Sequence, residues 1–124
     1  MPALYRIDQA RQLVVSTVSG TLTDDVMRAH SRSLASDPDF DPSFRQLMDL
    51  RGVSKFFVTS AALVEQSKAS PWKAGTQRAF VCSLEAVYGM VRMFELRSGD
   101  GPNEIRAFRE MSEALNWLRL DEIE

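Results

Sequence analysis

The sequence predicts an α/β fold: a mixed, mostly parallel sheet of about five strands with four helices, in the order ββαβαβαβα. Short apolar runs bounded by turn residues alternate with segments whose apolar residues recur at helical spacing, and this alternation is typical of parallel sheets. The first two strands are separated only by a short polar stretch, which favours an antiparallel edge hairpin. The 124 residues, 44% of them hydrophobic, suit a single domain spanning 1–124.

The predicted edge hairpin comprises residues 4–8 and 13–19, and Gly20 breaks the second strand. The second strand has the period of two that sends alternate side chains to opposite faces of a sheet. Its two sets are Val14, Ser16 and Val18 against Leu13, Val15 and Thr17.

A helix follows the hairpin and extends to about Ala35. Thr23 is its predicted N-cap, and Asp24 and Asp25 place negative charge in the first turn, where the helix dipole favours it. The loop at 36–43, SDPDFDPS, then leads into the next strand.

The centre of the fold is predicted at 45–63, RQLMDLRGVSKFFVTSAAL. Its apolar run at 47–50 is too short for a helix and is typical of a parallel strand covered on both faces, so Met48 and Leu50 should be core residues. Three polar residues stand where this strand would end: Asp49, Arg51 and Ser54. Because ligands of open α/β sheets bind beyond the carboxyl ends of the strands, these residues could line a crevice. Asp49 and Arg51 could equally well pair with each other.

A second helix is predicted over 61–69, with Thr59 and Ser60 as candidate N-caps. Its amino end would face the crevice and could accept an anion. The loop after this helix contains Trp72, which could form a movable cover over a ligand.

The rest of the chain adds two strand and helix pairs. A strand at 79–82 precedes a third helix that Ser83 would cap and Gly99 would end. A last strand at 105–108 precedes the final helix. The apolar stripe of the third helix is Val87, Met90, Val91 and Phe94, and that of the fourth is Met111, Ala114, Leu115 and Leu118.

Composition excludes several functional classes. The net charge of −2 and pI near 5.4 argue against a nucleic-acid partner, because such domains concentrate basic residues on one face. No segment approaches the ~20 apolar residues of a membrane span. A single cysteine, Cys82, cannot form an intramolecular disulfide, and with no recognisable signal peptide this favours the cytoplasm.

Catalytic and metal chemistry find little support. The single histidine, His30, should be a half-buried structural residue. Most serine or cysteine triads would then lack their usual base. Cys82 should be a buried hydrophobe, although a helix dipole beside it could make it reactive. Three aspartates alternate as in a calcium loop, but the loop lacks the required glycine and glutamate, so Asx turns explain them better: Asp37, Asp39 and Asp41. We predict no catalytic residue, no metal and no cofactor.

The segment DLRGVSKFFVTSAAL at 49–63 resembles the signature of STAS domains, the family of bacterial anti-sigma-factor antagonists. A DLSGV-type strand end is followed there by an apolar pair and an Asp-Ser-Ser-Gly helix start. Here Thr59 and Ser60 stand at the two serines, whereas Val58 replaces the aspartate and Ala61 the glycine. Across the whole chain, YRID, AVYGMVRMFE and IRAFREMSEALNWL are similar to the SpoIIAA-like branch, which shares its fold with CRAL-TRIO lipid-binding proteins.

The resemblance implies a small cytoplasmic regulatory or ligand-binding module that forms a homodimer. In the antagonists, a partner kinase phosphorylates the first serine to break the complex. That role would fall to Thr59 here, with Ser60 beside it. Phe40 and Phe44, which should be partly exposed in a monomer, also favour the dimer.

Three hypotheses follow. The first is a non-catalytic protein-interaction module of STAS type. The second is a carrier or sensor of a small amphipathic or lipid-like ligand, with peripheral membrane association. The third, a small hydrolase, is disfavoured because no serine has a predicted base nearby. The candidate ligand or partner crevice is Asp49, Arg51, Ser54, Phe57, Trp72 and Ser83.

Overall fold

Apolar runs form strands and amphipathic segments form helices in the order that the sequence predicts. The computed structural model describes residues 3–68, 71–73, 75–97 and 104–120. The elements formed by these residues are β1 (Ala3–Asp8), β2 (Leu13–Thr23), α1 (Asp24–Ala35), β3 (Arg45–Phe57), α2 (Ser60–Lys68), β4 (Gln77–Cys82), α3 (Glu85–Arg97), β5 (Glu104–Phe108) and α4 (Met111–Trp117).

The described strands form one sheet in chain order, β1-β2-β3-β4-β5. β1 is antiparallel to β2, and every later pair is parallel. Each parallel connection carries a helix, and because the three connections run in one direction along the sheet, right-handed crossovers place α1, α2 and α3 on the same face. The predicted mixed sheet with an antiparallel edge hairpin is confirmed.

Side-chain alternation divides the sheet into two faces. α1, α2 and α3 cover one face through Leu34, Leu63 and Val91, and we call it the three-helix face. α4 covers the other face, where Ala114 and Leu118 pack on Leu13, Leu47, Ala79 and Val81. The predicted alternation of β2 is confirmed, since Val14 and Val18 contact the three-helix side and Leu13 contacts the α4 side.

β2 and β3 are longer than predicted. β2 does not end at Gly20 but continues to Thr23, with register shifts between Thr17 and Ser19 and between Gly20 and Thr21. Gly20 has a φ of +74°, which glycine adopts without a steric penalty, so it allows an irregularity instead of ending the strand. β4 pairs with β3 only as far as Leu50. Beyond that point, residues 19–23 and 52–57 form a two-stranded ribbon, which we call the β2–β3 ribbon.

Local hydrogen bonds define where the helices begin. The Thr23 hydroxyl accepts from the Val26 amide at 3.2 Å, so its predicted capping role is confirmed. The prediction that Ser83 caps α3 is wrong: the helix begins at Glu85, and the Tyr88 amide donates to the Leu84 carbonyl. Leu84 therefore occupies the capping position. Three predicted features lie outside the described residues: Ala69, Gly99 and the side chain of Phe94.

Candidate functional site

The residues of the predicted crevice do not lie together. Asp49 and Arg51 lie inside β3, not beyond its end, at the level where β4 ends. Ser83 follows β4 at the same edge of the sheet. Trp72 precedes β4 and lies at the opposite, amino-terminal edge, buried with Val14, Leu34 and Phe44. The single predicted crevice is therefore wrong, because its members occupy two ends of the sheet.

Asp49 and Arg51 pair with each other. The Asp49 carboxylate accepts from the Arg51 backbone amide at 3.0 Å and from its guanidinium at 2.9 Å. Burial alone would raise the pKa of Asp49, but the hydrogen bonds from Arg51 more than offset this, so the pKa lies below its usual value. The Arg51 side chain is 48% exposed. The second reading of the sequence, mutual pairing, is thus confirmed.

The β2–β3 ribbon carries two further predicted residues. The Ser54 hydroxyl donates to the Gly20 carbonyl at 3.3 Å and so links the two strands. Phe57, at the end of β3, is 66% exposed. A phenyl ring that remains this exposed contributes little to the core and leaves apolar surface for another molecule.

Thr59 caps α2 and also contacts α1. Its hydroxyl accepts from the Ala62 amide at 3.1 Å and donates to Asp24 at 2.8 Å, and its own amide donates to Asp24 at 2.9 Å. These bonds, first from the amide and then from the hydroxyl, lower the pKa of Asp24. Ser60 is the first helical residue and is exposed. Of the two predicted caps, Thr59 is the one that acts.

An ion pair strengthens the same contact. Arg28 of α1 donates two hydrogen bonds to the Glu65 carboxylate of α2, at 3.0 and 3.2 Å. The Ser31 hydroxyl of α1 also donates to the Gln66 side chain of α2 at 2.7 Å, so the two helices are joined at Thr59, Glu65 and Gln66.

A buried polar cluster on the three-helix face was missed by the sequence reasoning. His30 Nε2 lies 2.9 Å from Ser16 Oγ, and Gln46 Nε2 lies 3.5 Å from the same oxygen. Arg78 Nε donates to Gln46 Oε1 at 3.0 Å. Ser16 and Gln46 are fully buried and Arg78 is 7% exposed. We call these four residues the inner polar cluster.

A signal for this cluster was present in the sequence. Ser16, Gln46 and Arg78 interrupt the apolar face of three consecutive strands, and parallel register places Gln46 beside Arg78. Period-two alternation sends all three to the same face, so one polar residue on each strand indicates a shared polar site. The predicted half-buried His30 completes it from α1.

The guanidinium of Arg78 is held in place by aromatic rings. It lies 5.0 Å from the Trp72 ring centroid and 5.4 Å from that of Phe80, both within the range of cation–π attraction. Burial lowers the pKa of Arg78 to about 9, so the side chain still carries its charge at pH 7.

His30 is neutral for the same reason. Burial, and secondarily the positive charge of Arg78, lowers its pKa to about 4. The Tyr5 ring packs edge-on against the imidazole at 5.8 Å. The expectation that no serine has a base nearby is wrong, since His30 contacts Ser16. So weak a base, on a serine that is fully buried, does not form a hydrolase site.

A cavity of about 80 Å³ lies between the three-helix face and its helices. His30, Gln46 and Arg78 line one end of it, at the amino-terminal edge of the sheet. Ser31 and Gln66, whose side chains are hydrogen-bonded to each other at 2.7 Å, also line it. The other lining side chains are mainly apolar, among them Leu22, Leu50, Leu63, Met90 and Val91. Met48 also borders this space and is only half-buried, whereas Leu50 is a core residue as predicted.

An outer groove of about 420 Å³ lies between β1 and α1. Ala3, Val26 and His30 line both the groove and the cavity, so the two spaces adjoin at these residues. Leu4, Tyr5 and Ala29 complete the apolar part of its wall.

Two other predictions concern residues outside these sites. Cys82 is buried, and burial raises the pKa of its thiol to about 12, so the interpretation as a buried hydrophobe is confirmed and helix-dipole activation is not. Asp37 and Asp41 accept the Asp39 and Ser43 amides, both at 2.9 Å, which confirms the Asx turns. Within the described ranges, no group of acidic, histidine or cysteine side chains could hold a metal ion.

The residue-based argument for a dimer is also corrected. Phe44 is 6% exposed, and Phe40 packs edge-on against Trp72 with ring centroids 5.0 Å apart. Neither ring leaves apolar surface that only a second subunit could cover.

No helix in the described part of the chain is long and apolar enough to cross a membrane. No family model matches the sequence, and no curated protein matches it.

Two solved structures match the fold over nearly the whole chain. One is an uncharacterised protein with a SpoIIAA-like fold from Shewanella loihica PV-4, with a TM-score of 0.55 and 17% identity, covering 94% of this chain and 93% of that one. The other is an anti-sigma factor antagonist from Mycobacterium paratuberculosis, with a TM-score of 0.60 and 17% identity, covering 94% of each chain. The resemblance seen in the sequence is confirmed at the level of the fold, which is that of a SpoIIAA-like (STAS-like) domain.

Proposed function

We propose that the protein is a non-catalytic regulatory module that binds a protein partner through the surface where the β2–β3 ribbon meets α2. We call Phe57, Thr59 and Ser60 the α2 entry surface. The observation that carries the proposal is the 66% exposure of Phe57 next to two exposed hydroxyl residues. Exposed aromatic residues beside polar ones are typical of protein interaction sites.

The fold supports this proposal. One structure of the same fold is an anti-sigma factor antagonist, a protein named for its action on another protein. The weakly basic His30 beside the buried Ser16 argues against the hydrolase hypothesis.

Thr59 is the candidate regulatory hydroxyl of this surface, and Ser60 is the alternative. A phosphate on Thr59 would remove the hydroxyl that donates to Asp24 and would place negative charge against that carboxylate. Arg28 is close enough to Asp24 to lower its pKa, but it is already paired with Glu65. Phosphorylation would therefore weaken the contact between α1 and α2 and change the surface offered to a partner.

Affinity capture with the purified chain tests the interaction surface. Phe57→Ala should lose a protein that the parent retains, whereas Leu4→Ala, which truncates a residue 61% exposed on edge strand β1, should retain it. Retention of every partner by Phe57→Ala would contradict the proposed surface.

Thr59→Glu tests the switch on the same partner. We expect this variant to remain folded and to lose the partner, while Thr17→Glu, an exposed control on β2, keeps it. If Thr59→Glu and Ser60→Glu both keep the partner, neither hydroxyl regulates the interaction.

A second candidate function is the carriage or sensing of a small amphipathic ligand, with peripheral membrane association for its exchange. The cavity favours it, because its lining is apolar at one end and polar at the other. Mass spectrometry of organic extracts from the purified protein tests it directly. A bound amphiphile recovered in the extract would support it, and its absence after expression in lipid-rich medium would count against it.

Two further properties remain proposals. We propose a homodimer, supported by the resemblance and by Met93 and Leu96, which are 43% and 71% exposed on α3. Sedimentation at tens of micromolar, a range typical of weak assemblies, should return a dimer.

We also propose the cytoplasm as the location of the protein, with which the free thiol of Cys82 is compatible.

A further inference from the structure

On the sheet, the polar and apolar residues that line the cavity lie at opposite ends. Gln46 and Arg78 are each the second residue of their strand, so both lie at the amino-terminal edge of the sheet. Two residues further along the same face, Met48 pairs with Phe80, and Leu50 then pairs with Cys82. The strand residues that line the cavity therefore change from polar at Gln46 and Arg78 to apolar at Leu50 over four residues, roughly 13 Å at 3.3 Å per residue.

The charged end presents a rigid cation. Arg78 is 7% exposed, and its guanidinium is fixed by the Trp72 and Phe80 rings and by the bond to Gln46. A planar guanidinium matches the two oxygens of a carboxylate, and in a site of low dielectric this pairing is stronger than in water. Gln46 and neutral His30 offer polar atoms beside it.

The size of the cavity restricts the ligand. A water molecule needs about 10–15 Å³ measured in this way, so about 80 Å³ holds five to eight atoms of that size. This corresponds to a short chain rather than a phospholipid. The outer groove, which meets the cavity at Ala3, Val26 and His30, gives a route of entry and room for the end of a longer chain.

We propose that the cavity binds a carboxylate with a short or medium alkyl chain, its head on the Arg78 guanidinium and its tail along Met48, Phe80 and Leu50. The proposal rests on the second candidate function and names its ligand class. It is independent of the protein-interaction surface, which lies at the other end of β3.

Binding of octanoate and octan-1-ol to the same protein tests the head group. Trp72 lines the cavity, whereas Trp117 contacts Phe108 on the α4 face, so the Trp117→Phe variant reports on the cavity by fluorescence. We expect octanoate to bind roughly tenfold more tightly than the alcohol, a difference typical of one added charged hydrogen-bonded pair. Calorimetry on the parent protein checks the fluorescence values.

Variants at Arg78 locate the head. Arg78→Met keeps a long side chain without charge and should weaken octanoate binding by about tenfold or more while leaving octanol binding unchanged or tighter. Arg78→Lys should restore part of the octanoate affinity. Arg51→Met removes an exposed arginine from β3 and is the matched control, with no expected change. Circular dichroism confirms folding, and the comparison of the two ligands on the parent protein stands even if Arg78→Met does not fold.

The outcomes separate the two claims. Equal binding of octanoate and octanol, or octanoate binding that Arg78→Met leaves intact, overturns the assigned head group while the carrier function stands. No binding of either ligand at about 1 mM, the weak limit of specific recognition, overturns both.

Discussion

Two strands of the sheet use arginine in opposite ways. In the middle of β3, Arg51 is half-exposed and pairs with Asp49 within its own strand. Near the amino end of β4, Arg78 is buried, stacks on aromatic rings and lines a cavity. A charge in water is nearly neutral for stability, whereas a charge in the interior opposes folding unless it is well solvated by its neighbours. A buried arginine therefore indicates function more strongly than an exposed arginine in an ion pair.

A similar contrast holds for two titratable residues of α1, His30 and Asp24, whose pKa values are lowered by different causes. His30 contacts a buried serine and has lost most of its basicity. Asp24, the first residue of α1, contacts the exposed Thr59, and its pKa is lowered. Burial dominates at the first site and hydrogen bonding at the second.

The largest expected difference between a buried and an exposed position of β3 comes from inserting a charge. Leu50→Asp would bury an unpaired carboxylate among Val18, Phe80 and Val91 and should cost several kcal/mol, enough to unfold a domain of ordinary stability. Phe57→Asp, at a position 66% exposed, should change stability by less than about 0.5 kcal/mol. Urea denaturation measures both. A folded Leu50→Asp protein with an unchanged midpoint would show that the central strand is misassigned.

Acid should destabilise the protein through His30. Its pKa is about 4 when folded and near 6.5 when unfolded, so the unfolded chain takes up a proton first as the pH falls. The full contribution is present above pH 6.5, and about 2 to 3 kcal/mol is lost between pH 6.5 and 4.

Unfolding free energies across this pH range test the assignment. His30→Gln lacks the titrating group, so its stability should vary less between pH 6.5 and 5, before most carboxylates protonate. An identical pH slope in the two proteins would mean that another group is responsible.

Thr59 should have a smaller effect. Thr59→Val keeps the shape of the side chain but removes the bond accepted from Ala62 and the bond donated to Asp24. We expect a loss of about 0.5 to 2 kcal/mol, the usual range for an N-cap. Ser60→Ala is the control, because Ser60 is an exposed residue of the first turn. Equal melting temperatures for both variants would exclude a structural role of the Thr59 hydroxyl.

The smallest effect should come from the exposed ion pair. Arg51→Ala removes a guanidinium that is 48% exposed, and the loss should be below about 1 kcal/mol. Raising the salt concentration should reduce even this difference, because salt screens exposed charges. A loss of several kcal/mol that salt does not change would mean that this pair is shielded from solvent and that the contrast with Arg78 is invalid.

Sequence periodicity was sufficient for the order of the elements and for most of the core. Strand ends were less predictable. Gly20 suggested a break, but it lies inside β2 with a positive φ. β3 continues past Leu50 because β2 continues beside it and pairs with it. The length of a strand depends on the neighbouring strand with which it pairs, and the sequence of one segment does not contain this information.

The inner polar cluster was missed for a related reason. Gln46 and Arg78 are 32 residues apart, and only the register of β3 against β4 makes them neighbours. The predicted site consisted instead of polar residues that follow an apolar run, Asp49, Arg51 and Ser54. In the structure these residues are exposed or paired locally.

The most direct test of the account is a nuclear magnetic resonance titration of the ¹⁵N-labelled protein with octanoate. The account predicts shift changes at the Gln46 side-chain amide, the Trp72 indole and the Arg78 Nε, all beside the cavity. The amides of Ser54, Phe57 and Ser83, which neither line the cavity nor adjoin a residue that lines it, should not move. Shifts confined to this second group, or no shifts at all, would contradict the claim that this chain binds a carboxylate in the cavity beside Arg78.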